Sequence, residues 1–436
     1  LEQMQHEGVS PNVITFIWVL KSCGNIGAIS RGKQIHAQIT KKGLAGSNDL
    51  VGSALIDMYA KCIALPESQK VFEELLVQDV VSWTILMDGY VQHGHGEKAL
   101  DCFTLMQNEG LSPDAFTYRC ILKACGGVGA ARKGHELHAK ISRQRLFEED
   151  IFIGAAMIDM YVKCGELGKA LEVFDELPVR DLVSCNALVT GYAEHGHGGK
   201  ALYIFERMRH EGLYPDAVTF VYILKACGKT GAVTKGKEIH AEMVREGFLG
   251  NDSLVGNALV DMYAKCGEFG KAKEVFLELP VRDVVSWTVL IAGYAQHGYD
   301  EEALNYFEGM KLQGFSPNEV TIVSILKACG SVGALDKGNE VYLSVLQEGF
   351  LESNLLVSTA LVDMYAKCGA VEKAREIFDR ICIRNVALWN AIIGGYAQHG
   401  YAREATQCFE WMQREGLSPN AFTYVYALKA CRTLGS

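Results

Sequence analysis

The chain has 436 residues, of which 49 % are hydrophobic and 22 % charged, with a formal net charge of −10. This composition is typical of a folded chain and argues against a disordered protein. No run approaches the eighteen apolar residues of a membrane span, and the acidic balance argues against a simple basic nucleic-acid binder unless charge is segregated between two faces.

The sequence repeats itself with a period of 102 residues. A tripeptide with a central proline recurs in these steps, beginning at Ser10, Ser112, Tyr214, Ser316 and Ser418. Such a period indicates a stacked array without separate cores. Nine of the fourteen cysteines occupy two phases of the period, and none forms a Cys-x-x-Cys pair. We therefore expect free, buried thiols in a reducing compartment, without disulfides or structural zinc.

Each period contains three predicted helical hairpins of different length. In residues 80–114 (a P unit, 35 residues), apolar spacing predicts a helix over 81–92, a break at His93-Gly94-His95-Gly96, and a second helix that ends at Gly110. In residues 115–150 (an L unit, 36 residues), the break between the two helices should lie at the Gly-rich residues 126–129. Residues 151–181 form an S unit of 31 residues. In chain order the predicted units are partial P 1–12, L 13–48, S 49–79, P 80–114, L 115–150, S 151–181, P 182–216, L 217–252, S 253–283, P 284–318, L 319–354, S 355–385, P 386–420 and partial L 421–436.

A single hairpin of this size cannot cover its own apolar face, so neighbouring hairpins must stack. The sequence therefore predicts an all-α fold, a right-handed α-solenoid superhelix of αα-hairpin repeats forming one array over 1–436. First helices should line one surface and second helices the other. Because the chain begins and ends inside units, we expect it to be part of a longer protein.

Three phrases carry a resemblance to a known family. They are Tyr263-Ala264-Lys265-Cys266-Gly267, Val285-Ser286-Trp287 and Gly293-Tyr294-Ala295-Gln296-His297-Gly298. Together with the rotation of 31, 35 and 36 residues, they resemble the PLS subclass of pentatricopeptide repeat proteins, whereas tetratricopeptide arrays keep a uniform 34-residue unit.

The resemblance implies binding of single-stranded RNA in a plant mitochondrion or chloroplast, with one base per repeat. It also implies a specificity factor for organellar RNA processing such as C-to-U editing, with editing cofactor proteins or a deaminase domain as possible further partners. We expect a monomer that needs no cofactor and no membrane.

Two places in the P units alternate between two residue types. The fifth residues are Thr84, Asn186, Thr288 and Asn390, the last residues are Asp114, Asp216, Asn318 and Asn420, and all four combinations occur. In the family these are the base-reading residues, and both should face RNA in a common groove. An Asp-to-Asn exchange replaces an acceptor-only group by one that also donates, which separates keto from amino bases. Helix capping is the alternative for the last residue.

The code of the family turns these pairs into a predicted target. Thr with Asp reads G, Asn with Asp U, Thr with Asn A, and Asn with Asn preferably C. In the S units, Ser53 with Asp79 then reads G, Asn257 with Asp283 U, and Thr359 with Asn385 A. Ala155 with Asp181 lacks a polar fifth residue, so its base is undetermined. No base is assigned to the L units, whose fifth residues are Ile17, Arg119, Val221 and Val323. The predicted RNA target is therefore 5′-NGGNNUNUANAC-3′.

Two further sets of residues recur at fixed phases. By resemblance, the second residues of the reading units wedge between bases, although a core role is an alternative; they are Leu50, Val81, Phe152, Val183, Leu254, Val285, Leu356 and Ala387. Eight lysines four or eight residues after the fifth place should share its helix face and contact phosphates, unless they are only solvated; they are Lys21, Lys61, Lys123, Lys163, Lys225, Lys265, Lys327 and Lys367. Acidic residues such as Glu97 and Asp101 fall on second helices, away from that face.

Catalytic and metal signals are weak. His93-Gly94-His95 resembles a metal pair, but the same phase also gives His297-Gly298-Tyr299, so the second histidine is dispensable. A His-x-Glu triplet at His95 or His240 lacks the Pro-Cys-x-x-Cys half of a zinc deaminase. We expect neither catalytic residues nor a metal site. A protein-binding α-solenoid scaffold is the main alternative function, and a deaminase within this chain, which would require zinc, is the other.

Overall fold

The computed structural model describes residues 4, 8, 10–44, 48–146, 150–249 and 253–434, and all regular structure within these ranges is helical. The predicted unit borders near 45–47, 147–149 and 250–252, and most of the partial unit 1–12, lie outside the described residues. Each complete unit contains a first and a second helix, as the hairpin pattern predicts.

The helices follow one another in pairs along the chain. The first helices are Val13–Asn25, Asp49–Lys61, Val80–Gln92, Ala115–Val128, Ile151–Lys163, Leu182–Glu194, Ala217–Thr230, Ser253–Lys265, Val284–Gln296, Glu319–Val332, Leu355–Lys367, Val386–Gln398 and Ala421–Leu434. The second helices are Ile29–Lys41, Leu65–Glu73, Gly96–Asn108, Ala131–Arg143, Leu167–Glu176, Gly198–His210, Val233–Glu246, Phe269–Glu278, Asp300–Leu312, Leu335–Gln347, Val371–Arg380 and Ala402–Arg414. A short helix, Phe350–Ser353, lies between two of the pairs.

The break inside the L units is shorter than the sequence predicts. Gly126 and Gly127 belong to the helix Ala115–Val128, and only Gly129 has the left-handed backbone that ends it, with φ 69°. Gly126 is buried, because the neighbouring helix lies so close that an added Cβ would stand 3.3 Å from the Met160 Cα. This glycine therefore serves helix packing and not chain reversal.

Contacts divide the chain into two compact units between Thr219 and Phe220. In the first, the successive first helices from Val13–Asn25 to Leu182–Glu194 each pack on the next, and in the second the same holds from Ser253–Lys265 to Ala421–Leu434. The second helices pack against their hairpin partners and the following first helix. Each unit is therefore a solenoid in which the first helices form one continuous layer.

Small residues bring the first helices of S and P units close together. A Cβ added at Gly89 would lie 2.7 Å from the Ala60 Cβ, and one at Gly293 would lie 2.6 Å from the Ala264 Cβ. Large apolar side chains of the second helices are buried as well, such as Phe103 and Met106 on Gly96–Asn108. Close packing of the first helices fixes the spacing of the side chains that they present on their other face.

All fourteen cysteines are free thiols, as the sequence predicts. Their burial is less uniform than expected, because Cys382 and Cys431 are exposed, and five, such as Cys62, are partly exposed. In the fully buried positions, loss of solvent raises the pKa of the Cys125 and Cys227 thiols to about 12. Among the described helices, none combines the length and the apolar character that crossing a membrane requires.

Candidate nucleic-acid interface

The last residue of every P and S unit caps the first helix of the next unit. In each case the side-chain Oδ1 accepts a hydrogen bond of 2.8–3.0 Å from the backbone N–H three residues later; the eight residues are Asp79, Asp114, Asp181, Asp216, Asp283, Asn318, Asn385 and Asn420. The capping alternative is therefore confirmed. Capping also gives all eight side chains the same orientation.

An asparagine in fifth place contacts the last residue of its own unit. Asn186 Nδ2 donates to Asp216 Oδ1 at 3.1 Å, and Asn390 Nδ2 donates to Asn420 Oδ1 at 3.1 Å. In an S unit, Asn257 Nδ2 donates to Asp283 Oδ1 at 3.2 Å. The structure thus brings together the two residues that the sequence singles out, although they are 26 or 30 positions apart in the chain.

A threonine in fifth place behaves differently. Thr84 is 3 % and Thr288 6 % exposed, whereas Asn186 and Asn390 are half-buried. The Thr84 hydroxyl contacts its own helix at the Val80 carbonyl, 2.6 Å away, and the Thr117 hydroxyl at 2.7 Å. The expectation that all four fifth residues face an open groove is therefore wrong for the threonines, because their short side chains bond within the hairpin stack.

The remaining fifth residues span the same range of exposure. Ala155 is 6 % exposed, Ser53 and Thr359 are half-buried, and Asn257 is 5 % exposed. The Thr359 hydroxyl donates to the Leu355 carbonyl of its own helix at 2.7 Å. The exposed polar atoms of the reading pairs therefore belong mainly to the last residues and to Asn186 and Asn390.

Capping leaves the second polar atom available in six of the eight last residues, whereas Asp216 Oδ2 accepts from Asn186 Nδ2 at 3.2 Å. Among the described residues, no hydrogen bond uses Nδ2 of Asn318, Asn385 and Asn420 or Oδ2 of Asp79, Asp114 and Asp181. Because Oδ1 is fixed in the cap, an Asp-to-Asn exchange changes the other atom from an acceptor to a donor. Capping and base reading are therefore compatible in one side chain.

The carboxylate of Asp283 stays ionised at neutral pH. Burial acts to raise its pKa, but the hydrogen bonds from Ser286 and Asn257 outweigh this effect and hold the pKa below its usual value. An ionised carboxylate only accepts hydrogen bonds. Asp283 therefore presents an acceptor under physiological conditions.

The apolar second residues lie on the surface. The seven larger ones are 49–68 % exposed, and Ala387 is also exposed; the seven are Leu50, Val81, Phe152, Val183, Leu254, Val285 and Leu356. The alternative of a core role is therefore wrong. The L units carry exposed apolar residues at the same place, which the sequence analysis missed although the 102-residue period marks them; they are Ile14, Phe116, Val218, Val320 and Phe422.

The lysines of the S units already have partners. Lys61, Lys163, Lys265 and Lys367 each form an ion pair of 2.5–2.8 Å with an aspartate four residues earlier, namely Asp57, Asp159, Asp261 and Asp363. The expectation that acidic residues lie on the second helices overlooked these four aspartates. In the L units, Lys21 lies over the Trp18 ring and Lys225 over the Tyr222 ring, and Asp88 lies near Lys123. The predicted face therefore carries paired charges of both signs.

One open cavity of about 620 Å³ gathers members of every predicted set. It lies in the second compact unit and is lined by the reading residues Thr359, Asn390 and Asn420, the second residues Leu356 and Ala387, and Lys327. Asp363, Phe422 and Tyr426 line it as well. Over these adjacent units, polar reading groups, apolar second residues and a lysine share one concave surface.

A threonine that the sequence analysis missed links the reading residues. Thr219 Oγ1 lies 2.6 Å from Asn186 Oδ1 and 2.8 Å from Asp216 Oδ1, and Thr423 makes the same contacts with Asn390 and Asn420. The third residue of each L unit is threonine, at positions 15, 117, 219, 321 and 423. This recurrence could have identified the threonine from the sequence.

Groups of three or more His, Cys, Asp or Glu side chains that could hold a metal ion do not occur among the residues that the structure describes. Histidines at the helix breaks instead contact the backbone or a neighbouring ring: His93 Nε2 lies 2.7 Å from the Ala60 carbonyl oxygen, and the His95 ring lies edge-on to that of Tyr90. The arrangement can form hydrogen bonds to planar polar groups and apolar contacts between them.

A model of the PPR repeat family matches this chain at residues 78–127, 180–229, 282–331 and 384–433. A second model, of the PPR repeat, matches 156–182, 218–248, 257–284 and 357–386. The chain belongs to the pentatricopeptide repeat (PPR) family.

Several PPR proteins of Arabidopsis thaliana are similar to this chain over nearly its whole length. A chloroplastic one is 36 % identical over 416 residues, covering 95 % of this chain and 67 % of the relative. A second chloroplastic protein is 37 % identical and a mitochondrial one 35 %, each covering 99 % of this chain. The chain spans about half to two thirds of the length of these PPR proteins. The predicted location in a mitochondrion or chloroplast agrees with the compartments in which these relatives are named.

Solved PPR structures share the fold. The crystal structure of PPR10 from maize matches with a TM-score of 0.51 and 19 % identity, covering 99 % of this chain and 73 % of that one. PPR10 in complex with an 18-nt psaJ RNA element matches with a TM-score of 0.58 and 18 % identity over the same shares. The predicted α-solenoid of stacked hairpins is therefore confirmed.

Proposed function

We propose that this PPR chain binds single-stranded RNA in a sequence-specific manner, with one base facing each repeat. The observation that carries the proposal is that the two polar atoms of the last residue's side chain have different roles. Its Oδ1 is held in the helix cap while its second polar atom is an oxygen in some units and a nitrogen in others. A change from acceptor to donor at a fixed place is what distinguishing keto from amino bases requires.

The fifth residue would then act through its size. Because Thr84 and Thr288 are buried, they leave room in front of the last residue for a purine. Asn186 and Asn390 are half-buried and use one amide hydrogen on the last residue, so the second amide hydrogen is available to a smaller pyrimidine. In the P units this reasoning supports G and A where threonine is fifth, and U and C where asparagine is fifth. With the S-unit bases taken from the code of the family, the proposed target is 5′-NGGNNUNUANAC-3′.

The exposed second residues suit a place between successive bases, where apolar side chains replace stacking partners. The lysines would contact phosphates after exchanging their aspartate partners for the RNA backbone. Maize PPR10 has been solved with a bound RNA element, which supports RNA as the ligand.

The finer assignment follows from unit length. The rotation of 31, 35 and 36 residues supports membership of the PLS subclass, and hence a role as specificity factor in C-to-U editing in a chloroplast or mitochondrion. Editing cofactor proteins or a deaminase domain would be its partners, and the chain itself would bind RNA without acting as an enzyme.

The proposal is tested by measuring the affinity of the purified chain for the predicted 12-mer, filled with C at undetermined positions, and for a scrambled RNA of equal composition. We expect the 12-mer to bind at least tenfold more tightly, and its affinity to fall as salt is raised. Equal affinities would refute sequence-specific reading. Binding of neither RNA would instead favour a protein-binding scaffold.

A further inference from the structure

One L unit differs from the others at the face just described. In the units beginning at residues 13, 217 and 319, three residues are aliphatic: the fifth residue of the unit, its second residue, and the second residue of the unit that follows. In the unit 115–150 the corresponding residues are Arg119, Phe116 and Phe152. No base is assigned to L units, so this unit has no role in the proposed target.

Arg119 lies between the two aromatic rings. Its guanidinium carbon is 5.3 Å from the centroid of the Phe116 ring and 5.6 Å from that of the Phe152 ring. Both rings are exposed, at 51 % and 49 %. Two exposed rings that flank a planar cation form a surface on which another planar group can stack.

The charged groups of this site are loosely paired with each other. Arg119 Nη1 and Asp150 Oδ2 form an ion pair at 3.8 Å, longer than a hydrogen bond, and within the described ranges of the chain no oxygen accepts a hydrogen bond from the Arg119 guanidinium. Asp150 is the last residue of the unit, and its Oδ1 accepts from the Phe152 N–H at 2.8 Å. Arg119 and Asp150 therefore offer donors beside an acceptor at the two places where P and S units carry their reading pair.

We propose that this L unit also reads RNA, and that Phe116, Arg119, Asp150 and Phe152 form a binding site for a keto base, guanine in preference to uracil. The base would displace the guanidinium sideways and stack between the rings of Phe116 and Phe152. Arg119 would donate to the keto oxygen, O6 of guanine or O4 of uracil. Asp150 Oδ2 would accept from the adjacent ring N–H.

The same pair disfavours the amino bases. Adenine and cytosine present an amino donor toward Arg119 and a ring acceptor toward Asp150, so both contacts become repulsive. Guanine is favoured over uracil because the larger purine covers more of the two rings. Since the inference rests on the proposed RNA-binding function, it fills the fourth position of the target, 5′-NGGGNUNUANAC-3′.

The test compares four 12-mers that differ only at the fourth position, with fluorescence anisotropy as the readout. Wild type should bind the G form about tenfold more tightly than the A and C forms, with the U form in between. Arg119→Val introduces the residue that the L unit 217–252 carries in fifth place, Val221. This variant should lose the preference at the fourth position and keep the preference at the third. Arg119→Lys retains the charge but lacks the planar fork, and should also lose the preference.

Three results would overturn the inference while leaving RNA binding intact. They are equal affinities of wild type for all four 12-mers with discrimination at the third position preserved, retention of the preference by Arg119→Lys, or tighter binding of every 12-mer by Arg119→Val. The last result would mean that Arg119 only blocks the slot. Failure of wild type to bind any of the four RNAs would refute the RNA-binding proposal and this inference with it.

Discussion

The Oγ1 atoms of Thr84 and Thr117 lie 2.7 Å apart, although the two residues belong to different repeats. Thr117 Oγ1 also lies 2.7 Å from Asp114 Oδ1, so the hydroxyl of one repeat connects the fifth and last residues of the repeat before it. The proposed base-reading geometry is therefore built across the junction between two hairpins, and depends on a residue outside the proposed reading pair.

Removal of the bridging hydroxyl should loosen a reading pair. Thr219 is buried and contacts both Asn186 and Asp216, so Thr219→Val leaves the Asn186 oxygen without its donor. We expect the free energy of unfolding to fall by about 1 kcal/mol. Discrimination at the sixth base of the target should weaken, because the Asn186 amide is then held only by its Nδ2 contacts with Asp216.

Urea unfolding and binding of 12-mers varied at the sixth base check this prediction. Thr104→Val is the matched control, since the Thr104 hydroxyl is exposed and bonds only to a carbonyl of its own helix. Unchanged discrimination by Thr219→Val would show that the bridge does not position Asn186.

Truncation of a second residue should reduce RNA affinity without affecting the fold. Val285 is 49 % exposed, so Val285→Ala removes two methyl groups that contribute little to the core. If the side chain lies between two bases, affinity for the 12-mer should fall by about fivefold, which corresponds to roughly 1 kcal/mol of lost apolar contact.

Val281 offers a control of the same residue type. It is 67 % exposed, lies in the segment between the helices Phe269–Glu278 and Val284–Gln296, and belongs to none of the predicted sets of RNA-contacting residues. Val281→Ala should leave both stability and affinity unchanged, and similar losses in the two variants would argue against a specific role for Val285.

The ion pairs of the S-unit lysines predict opposite effects of two substitutions. Lys265→Gln should weaken binding of every RNA alike and reduce the slope of log affinity against log salt by about one. Asp261→Asn removes the carboxylate that holds Lys265 Nζ at 2.5 Å, and should increase affinity by about twofold to fivefold.

Salt titrations of binding between about 50 and 200 mM measure both variants under identical conditions. A decrease in affinity on Asp261→Asn would contradict the exchange of aspartate for phosphate. A loss confined to one RNA sequence on Lys265→Gln would place that lysine at a base and not at the backbone.

The fold follows from the sequence because its signals repeat. The apolar spacing, the prolines and the glycines recur in each of the four periods, and the helix Val80–Gln92 lies within one residue of its predicted start. The course of the chain at Gly126 could not be predicted in this way, because a glycine that allows close helix packing has the same appearance in sequence as one that ends a helix.

The candidate site was predictable in its residues but not in its contacts. Alternation between two residue types identified Asn186 and Asp216, which the structure brings into contact. Burial of Thr84 was not predictable, since it depends on the Thr117 hydroxyl of the next hairpin. The difference of the unit 115–150 is visible in sequence at Arg119, but the stacking of its guanidinium on two rings requires the structure.

The most direct test of the central claim exchanges the last residues of two units that both have threonine in fifth place. Asp114→Asn and Asn318→Asp keep the helix caps, since either residue can present Oδ1, and change only the second polar atom.

The affinities for 12-mers with G or A at the third and ninth bases are then measured. The preferred base should change from G to A at the third position and from A to G at the ninth, with each new preference about tenfold in affinity. Retention of G at the third base and A at the ninth in the doubly substituted chain would contradict base reading by the last residue.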